Sequence, residues 1–305
     1  MTRIEPRDVA LEDFPESTAS SDAMEALAVT ATPRYPQVHL GVEYARHADE
    51  PRHLHIIIPP LPDGAHLDPD FDARYPTIVF VQGSAWRAQE LGSNLAGLAD
   101  FARRGCVIAL VEYRPSDIAP FPAQVEDAAA AVAFLRDNAA PFNVDPDKVA
   151  MWGDSSGGHT ALMAALRPDL GLRCVVDFYG PTDISRMNDE PSVMDHTAPD
   201  SPEGMLIGGF DVADNPDRVA PTVVMEHIPD AAERRLPPLL VVHGSKDRLV
   251  PFAQSVLLVD KLTAAGHDVR FVQLTGADHG GHAFWQPEVV DLVDAFLAEH
   301  LTDAP

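Results

Sequence analysis

The chain has 305 residues, 46% of them apolar, which suits one large single-core domain rather than two. Its 22 basic and 47 acidic residues leave a net charge of −25, which repels a phosphate backbone and an anionic lipid surface, so neither nucleic acid nor a membrane is an expected partner. The two cysteines, Cys106 and Cys174, sit in apolar runs and read as buried thiols, and no Cys/His cluster has zinc-ligand spacing, so no metal or other cofactor is expected.

Residues 1–36 mix acids, small residues and prolines and read as an irregular or partly helical N-terminal extension. They lack the apolar core of a secretory signal, and no apolar run reaches the ~18 residues of a membrane span, so a cytoplasmic location is the default expectation. From His39 onward the chain carries strand patterns at His39–Arg46, His53–Pro59, Thr77–Gln82, Cys106–Tyr113, Lys148–Gly153, Cys174–Tyr179, Leu239–His243 and Val269–Leu274. Several are continuous β-branched runs, as expected of strands covered on both faces. Helical patterns fall at Leu95–Arg104, Ala123–Asn138, His159–Leu166, Ala253–Ala265 and Val289–Leu301, two of them followed by Gly105 and Gly266, where a helix stop is expected. Strands alternating with such helices imply βαβ units and a mostly parallel sheet of about eight strands within residues 37–305. The first two strands have no helix between them and are expected to form an antiparallel hairpin at the sheet edge. The segment Asp68-Pro69-Asp70-Phe71-Asp72 has the acids of a calcium loop but neither its glycine nor its closing glutamate, and reads as a surface turn.

Residues 183–235 break the pattern. They are rich in Pro, Asp and Met, with weak periodicity, and a segment of that length reads as a lid-like insertion. Met187, Met194, Met205, Leu206, Ile207 and Phe210 give it an apolar side expected to form part of a substrate pocket wall, although the same side chains could instead anchor the segment to the core.

Chemistry concentrates at Trp152-Gly153-Asp154-Ser155-Ser156-Gly157-Gly158-His159. This is G-x-S-x-G between an apolar strand and a helix, the setting in which a sharp turn exposes a nucleophilic serine. Ser155 holds the central position. A serine nucleophile needs a base, and the base an orienting acid. Strand Leu239–His243 runs into Gly244-Ser245-Lys246-Asp247, and strand Val269–Leu274 into Asp278-His279-Gly280-Gly281-His282. The triad is therefore read as Ser155, Asp247 and His279, with His282 the fallback base and Asp278 structural. An oxyanion hole is expected from two backbone N–H groups, one at Ser84 in Gln82-Gly83-Ser84-Ala85-Trp86 and one at Ser156.

On these residues the chain resembles the acetyl esterase/lipase-like α/β hydrolases, near the bifunctional acetylxylan and feruloyl esterases and the kynurenine formamidases. The segments that carry the resemblance are Val79–Trp86, Tyr113-Arg114, Phe121–Asp127, Phe134–Arg136, Gly153–His159, Phe178–Asp183, Val242–Asp247 and Gly276–Gly280, in order across roughly residues 75–300. It implies an α/β-hydrolase fold with helices on both faces of the sheet. It also implies a serine hydrolase acting on a small-molecule ester of a short acyl or hydroxycinnamoyl group, with an arylformamidase or small peptidase as the alternative and a non-catalytic binding protein third. The oxyanion loop departs from the family's H-G-G-x-W, since Gln82 replaces the histidine and Ser84 the second glycine. Oligomeric state is not legible.

Overall fold

The computed structural model describes residues 9, 13–28, 35–62 and 71–302. Contacts divide the chain into two compact units, residues 1–32 and 33–305. Among the described residues of the first unit there is no strand and no helix longer than a turn. Asp68, Pro69 and Asp70 of the acidic turn lie outside the described residues.

The second unit is built on one eight-stranded sheet in the order β1-β2-β4-β3-β5-β6-β7-β8. β1 (Gln37–His47) and β2 (Glu50–Ile58) form the expected antiparallel hairpin, and β2 pairs antiparallel with β4 (Val107–Val111). All later pairings, through β3 (Tyr75–Val81), β5 (Val144–Asp154), β6 (Val175–Phe178), β7 (Leu239–Gly244) and β8 (Val269–Leu274), are parallel. The β-branched runs read as two-sided strands are two-sided. Val79 and Val81 pack with α2 (Ala123–Asp137) and α3 (Ser156–Ala165) on one face. Ile78 and Phe80, one residue out of phase, pack with α1 (Leu95–Ala102) and the C-terminal helix, Pro287–Leu301, on the other. Burial of both faces is the main term holding the sheet, since each fully buried Leu, Ile or Val contributes about 1.5–3 kcal/mol. This is the α/β-hydrolase architecture.

Residues 183–235 contain only short helices, α4 (Pro202–Leu206) and α5 (Pro216–Val219), and 3₁₀ turns. Helices α6 (Ala253–Ala264) and α7 (Pro287–Leu301) then complete the chain. The 183–235 segment has a small core of its own, where Ile184, Leu206, Ile207, Val212, Val219 and Val223 surround Trp86. Trp86 meets the His159 ring edge-on at 5.2 Å, and His159 Nε2 donates to Thr222 O at 2.9 Å. Burial lowers His159 to about 4, so it is neutral there, an anchor between α3 and the segment. The expected pocket wall is not what these residues form. Met187, Leu206 and Ile207 point into the core, while Phe210 is 38% exposed with the Arg218 guanidinium 3.8 Å from its ring centre.

Candidate active site

Because β3, β5, β7 and β8 are parallel, the loops that follow them open on one edge of the sheet. The turn after β5 is the sharpest. Ser155 has φ 54° and ψ −127° and caps α3. Only tight neighbours hold a non-glycine residue in that left-handed region. Added Cβ atoms at Gly153 and Gly157 would run into Gly157 O and Val81 O, so both positions require glycine. The α3 helix starts at Ser156, three residues before the start read from the helical pattern, because the turn itself launches it.

The structure brings Ser155, Asp247 and His279 together. His279 Nε2 lies 3.0 Å from Ser155 Oγ, and His279 Nδ1 lies 2.7 Å from Asp247 Oδ2. The Asp247 side chain is fully buried, and its other oxygen accepts Leu249 N–H at 2.9 Å and Val250 N–H at 2.8 Å. Burial alone would raise this carboxyl, but bonds from His243 and His279 outweigh it and hold Asp247 well below the ordinary carboxylate range. His282 lines the cavity beyond, while the imidazole bonded to Ser155 is that of His279.

Asp278 does not orient the ring. Its Oδ1 accepts His279 N–H at 2.8 Å, and its Oδ2 accepts Arg248 Nε at 2.7 Å. The Arg248 guanidinium holds its carboxyl at about 2. With Lys246 N donating to Ala277 O at 2.9 Å, this stitches the acid loop to the histidine loop.

The oxyanion loop differs from expectation. Ser84 N–H does not point at the nucleophile; it donates to Ser156 Oγ at 2.9 Å. The Ser84 hydroxyl donates to Arg87 O at 2.6 Å and lies 2.7 Å from Tyr113 OH, so the side chain replacing glycine fastens the loop from behind. The next residue, Ala85, lines the cavity with φ 56°, and among the described residues nothing bonds its N–H. Ser156 opens α3, where an N–H has no partner within the helix. Among the described residues the Ala85 and Ser156 N–H groups thus have no bonded partner, Ala85 lining the cavity with Ser155 and Ser156 following it in the chain. Gly83 N–H donates to Asp154 Oδ1 at 2.9 Å, tying the loop to the residue before the nucleophile. Desolvation pushes the Asp154 carboxyl up to about 6, despite hydrogen bonds from Gly83 and the Tyr179 hydroxyl.

The cavity over Ser155 is about 540 Å³, within the range of small-molecule sites. Phe80, Phe178, Tyr179, Leu249 and Trp285 supply apolar walls, and Ser93, Asn94 and His282 supply polar groups. None of the lining residues comes from 183–235. Among the described residues no group of three or more His, Cys, Asp or Glu is arranged to hold a metal, and no helix is long and apolar enough to cross a membrane.

Residues 65–262 match the BD-FAE family model, well over half of the chain and a span that includes Ser155 and Asp247. The chain belongs to the BD-FAE family. Within the wider esterase group it is similar to esterase LipC of Mycobacterium tuberculosis, 28% identical over 222 residues, 67% of this chain and 53% of that one. It is also similar to isoprenylcysteine alpha-carbonyl methylesterase ICME of Arabidopsis thaliana, 24% identical over 257 residues, 80% of this chain and 56% of that one. The chain spans about half the length of these curated relatives. Among solved structures, a truncated carbohydrate esterase from gut microbiota superposes with a TM-score of 0.72 at 25% identity, covering 88% of this chain and 98% of that one. The propionate-bound esterase Est2 of Thermogutta terrifontis, at 24% identity and a TM-score of 0.67 over 88% of this chain and 97% of that one, shares the fold.

Two residues of this site carry no role in the motif reading. His243 and Tyr179 both lie inside segments that carry the resemblance, and neither is given a role there. His243 stands four residues before Asp247, and that spacing was the available signal.

Proposed function

We propose that this protein hydrolyses carboxylic esters through an acyl-enzyme on Ser155. The observation that carries the reading is the unbroken hydrogen-bond chain from Ser155 through His279 to the buried Asp247. His279 Nε2 takes the hydroxyl proton as Ser155 Oγ adds to the ester carbonyl. The Ser156 and Ala85 N–H groups receive the oxyanion, and Asp247 stabilises the imidazolium. Collapse breaks the carbonyl–alkoxy bond, and the alcohol leaves with the proton from His279. Water then enters, gives its proton to His279 and adds to the acyl-enzyme, and Ser155 recovers its proton as the acid departs.

The substrate class in this reading is a neutral ester of a short acyl or hydroxycinnamoyl group, carried on an alcohol such as a plant-derived sugar. Family membership, the carbohydrate-esterase neighbour and the aromatic cavity walls support it. The direct test is Ser155→Ala. Organophosphonate labelling should vanish and kcat should fall by a factor on the scale of ~10⁶. Labelling that survives would mean another serine is the nucleophile. A panel of chromogenic acetate, butyrate, palmitate and ferulate esters with N-formylkynurenine separates the substrate classes. Acetate, butyrate or ferulate should lead, and a steady rise to palmitate would favour a lipase instead.

A further inference from the structure

Asp247 is contacted from behind by a second histidine. His243 closes β7, fully buried, with Nε2 3.2 Å from Asp247 Oδ2, the oxygen that also binds His279. The same Nε2 lies 3.0 Å from Val250 O, which can only accept, so Nε2 carries a hydrogen. Nδ1 lies 2.7 Å from Ser255 Oγ on α6, so with the serine donating the neutral ring has one hydrogen at Nε2, directed at Val250 O and lying beside Asp247 Oδ2. The carboxylate has about four acceptor sites. Leu249 and Val250 N–H take those of Oδ1, His279 takes one of Oδ2, and the His243 N–H approaches the other at 3.2 Å while bonding Val250 O.

The geometry points to His243 as a positioning residue of the hydrolytic site, which fixes the Asp247 carboxylate and shares the oxygen that faces the catalytic base. The hydrogen-bond chain then runs over five side chains, from Ser155 to Ser255. This rests on the esterase reading of Ser155, Asp247 and His279. Removing the His243 donor leaves more charge on Oδ2 for His279. The imidazolium is then held more strongly, and the base titrates at higher pH. The other titratable or charged groups facing this pair are Asp154, Tyr179 and the Asp278–Arg248 pair, and none of them bonds Asp247. Tyr179 also packs on the His243 ring, 6.4 Å between centroids, and both variants at position 243 alter that contact alike.

The test is a kcat/KM pH profile on full-length variants, with active-site concentration titrated by a fluorescent phosphonate. His243→Leu should shift the acidic limb up by roughly 0.5–1 pH unit and lower kcat by about 10–100-fold, with KM little changed. His243→Gln returns an N–H donor near the Nε2 position and should restore the wild-type limb. An unmoved limb in His243→Leu, or a glutamine variant as impaired as the leucine, overturns the assignment. If His243→Leu does not fold, Ser255→Ala keeps the ring but frees its far end, and should move the limb in the same direction by less; no movement again overturns it. A wild-type protein that neither turns over esters nor takes the phosphonate would instead bring down the esterase reading.

Discussion

Asp177 stands at the end of β6 under the turn that carries Ser155, fully buried, with Gly158 and Gly180 closed around it. Its Oδ1 accepts Gly180 N–H at 3.0 Å, and its Oδ2 has no partner. Burial pushes the carboxyl up to about 7, against about 3.9 for a free aspartate, and the charge of Asp154 adds to the rise. A raised carboxyl favours the neutral form in the folded state. Its stability contribution is therefore intact near pH 4 and lost as pH climbs toward 7. Asp177→Asn keeps the Gly180 acceptor and removes the charge. Its Tm should match wild type near pH 4 and exceed it at pH 8 by at least about 2–4 °C, the effect of about 1 kcal/mol. Melting curves that differ by the same amount at both pH values would mean the charge is not what matters. At this scale the sequence pointed to residue type where chemistry dictates it: Ser155, Asp247 and His279 stood out by their motifs, and the structure brings the three together. His243 and Ala85 did not stand out. A buried imidazole reads as core until its partner is known, and a backbone N–H leaves no trace in residue identity.

Elements were legible in proportion to their periodicity. The strands followed their β-branched runs, and Gly105 and Gly266, with φ of 100° and 81°, stop helices where expected. β5 begins at Val144, four residues before the start read at Lys148, because Tyr75 of β3 supplies a pairing partner for Val144. Residues 183–235 were opaque because α4 and α5 have only 5 and 4 residues, too short for a 3.6-residue period to repeat. Their apolar side chains wrap Trp86 instead of facing substrate. Leu206→Ala should then cost about 2–5 kcal/mol in stability and leave relative rates across an acetate-to-octanoate series unchanged. Thermal melts and that series decide it, and an altered chain-length profile would return the segment to the pocket wall.

Over the whole molecule, the sheet is a rigid frame whose strand ends deliver separate loops to one place, and the local cost of that assembly is concentrated there. Among the described residues six non-glycine side chains have positive φ: Ala48, Ala85, Trp86, Asn143, Ser155 and Tyr179. Ala85, Ser155 and Tyr179 line the cavity, and Trp86 follows Ala85 in the chain. Such conformations cost on the order of 1–3 kcal/mol each unless glycine occupies them. A population of variants selected for heat resistance alone would thus be drawn toward glycine at Ala85 and Ser155, where little packing is lost, and at 155 would trade away its chemistry for durability. Ala85→Gly and Ser155→Gly should both melt higher than the parent by about 2–4 °C for each kcal/mol of relief, the second with no turnover. Lower melting in both would mean the surrounding contacts, not the backbone, set the balance. A thermostability campaign on this scaffold therefore has to score hydrolysis in every round, because its easiest gains lie where Ser155 is held.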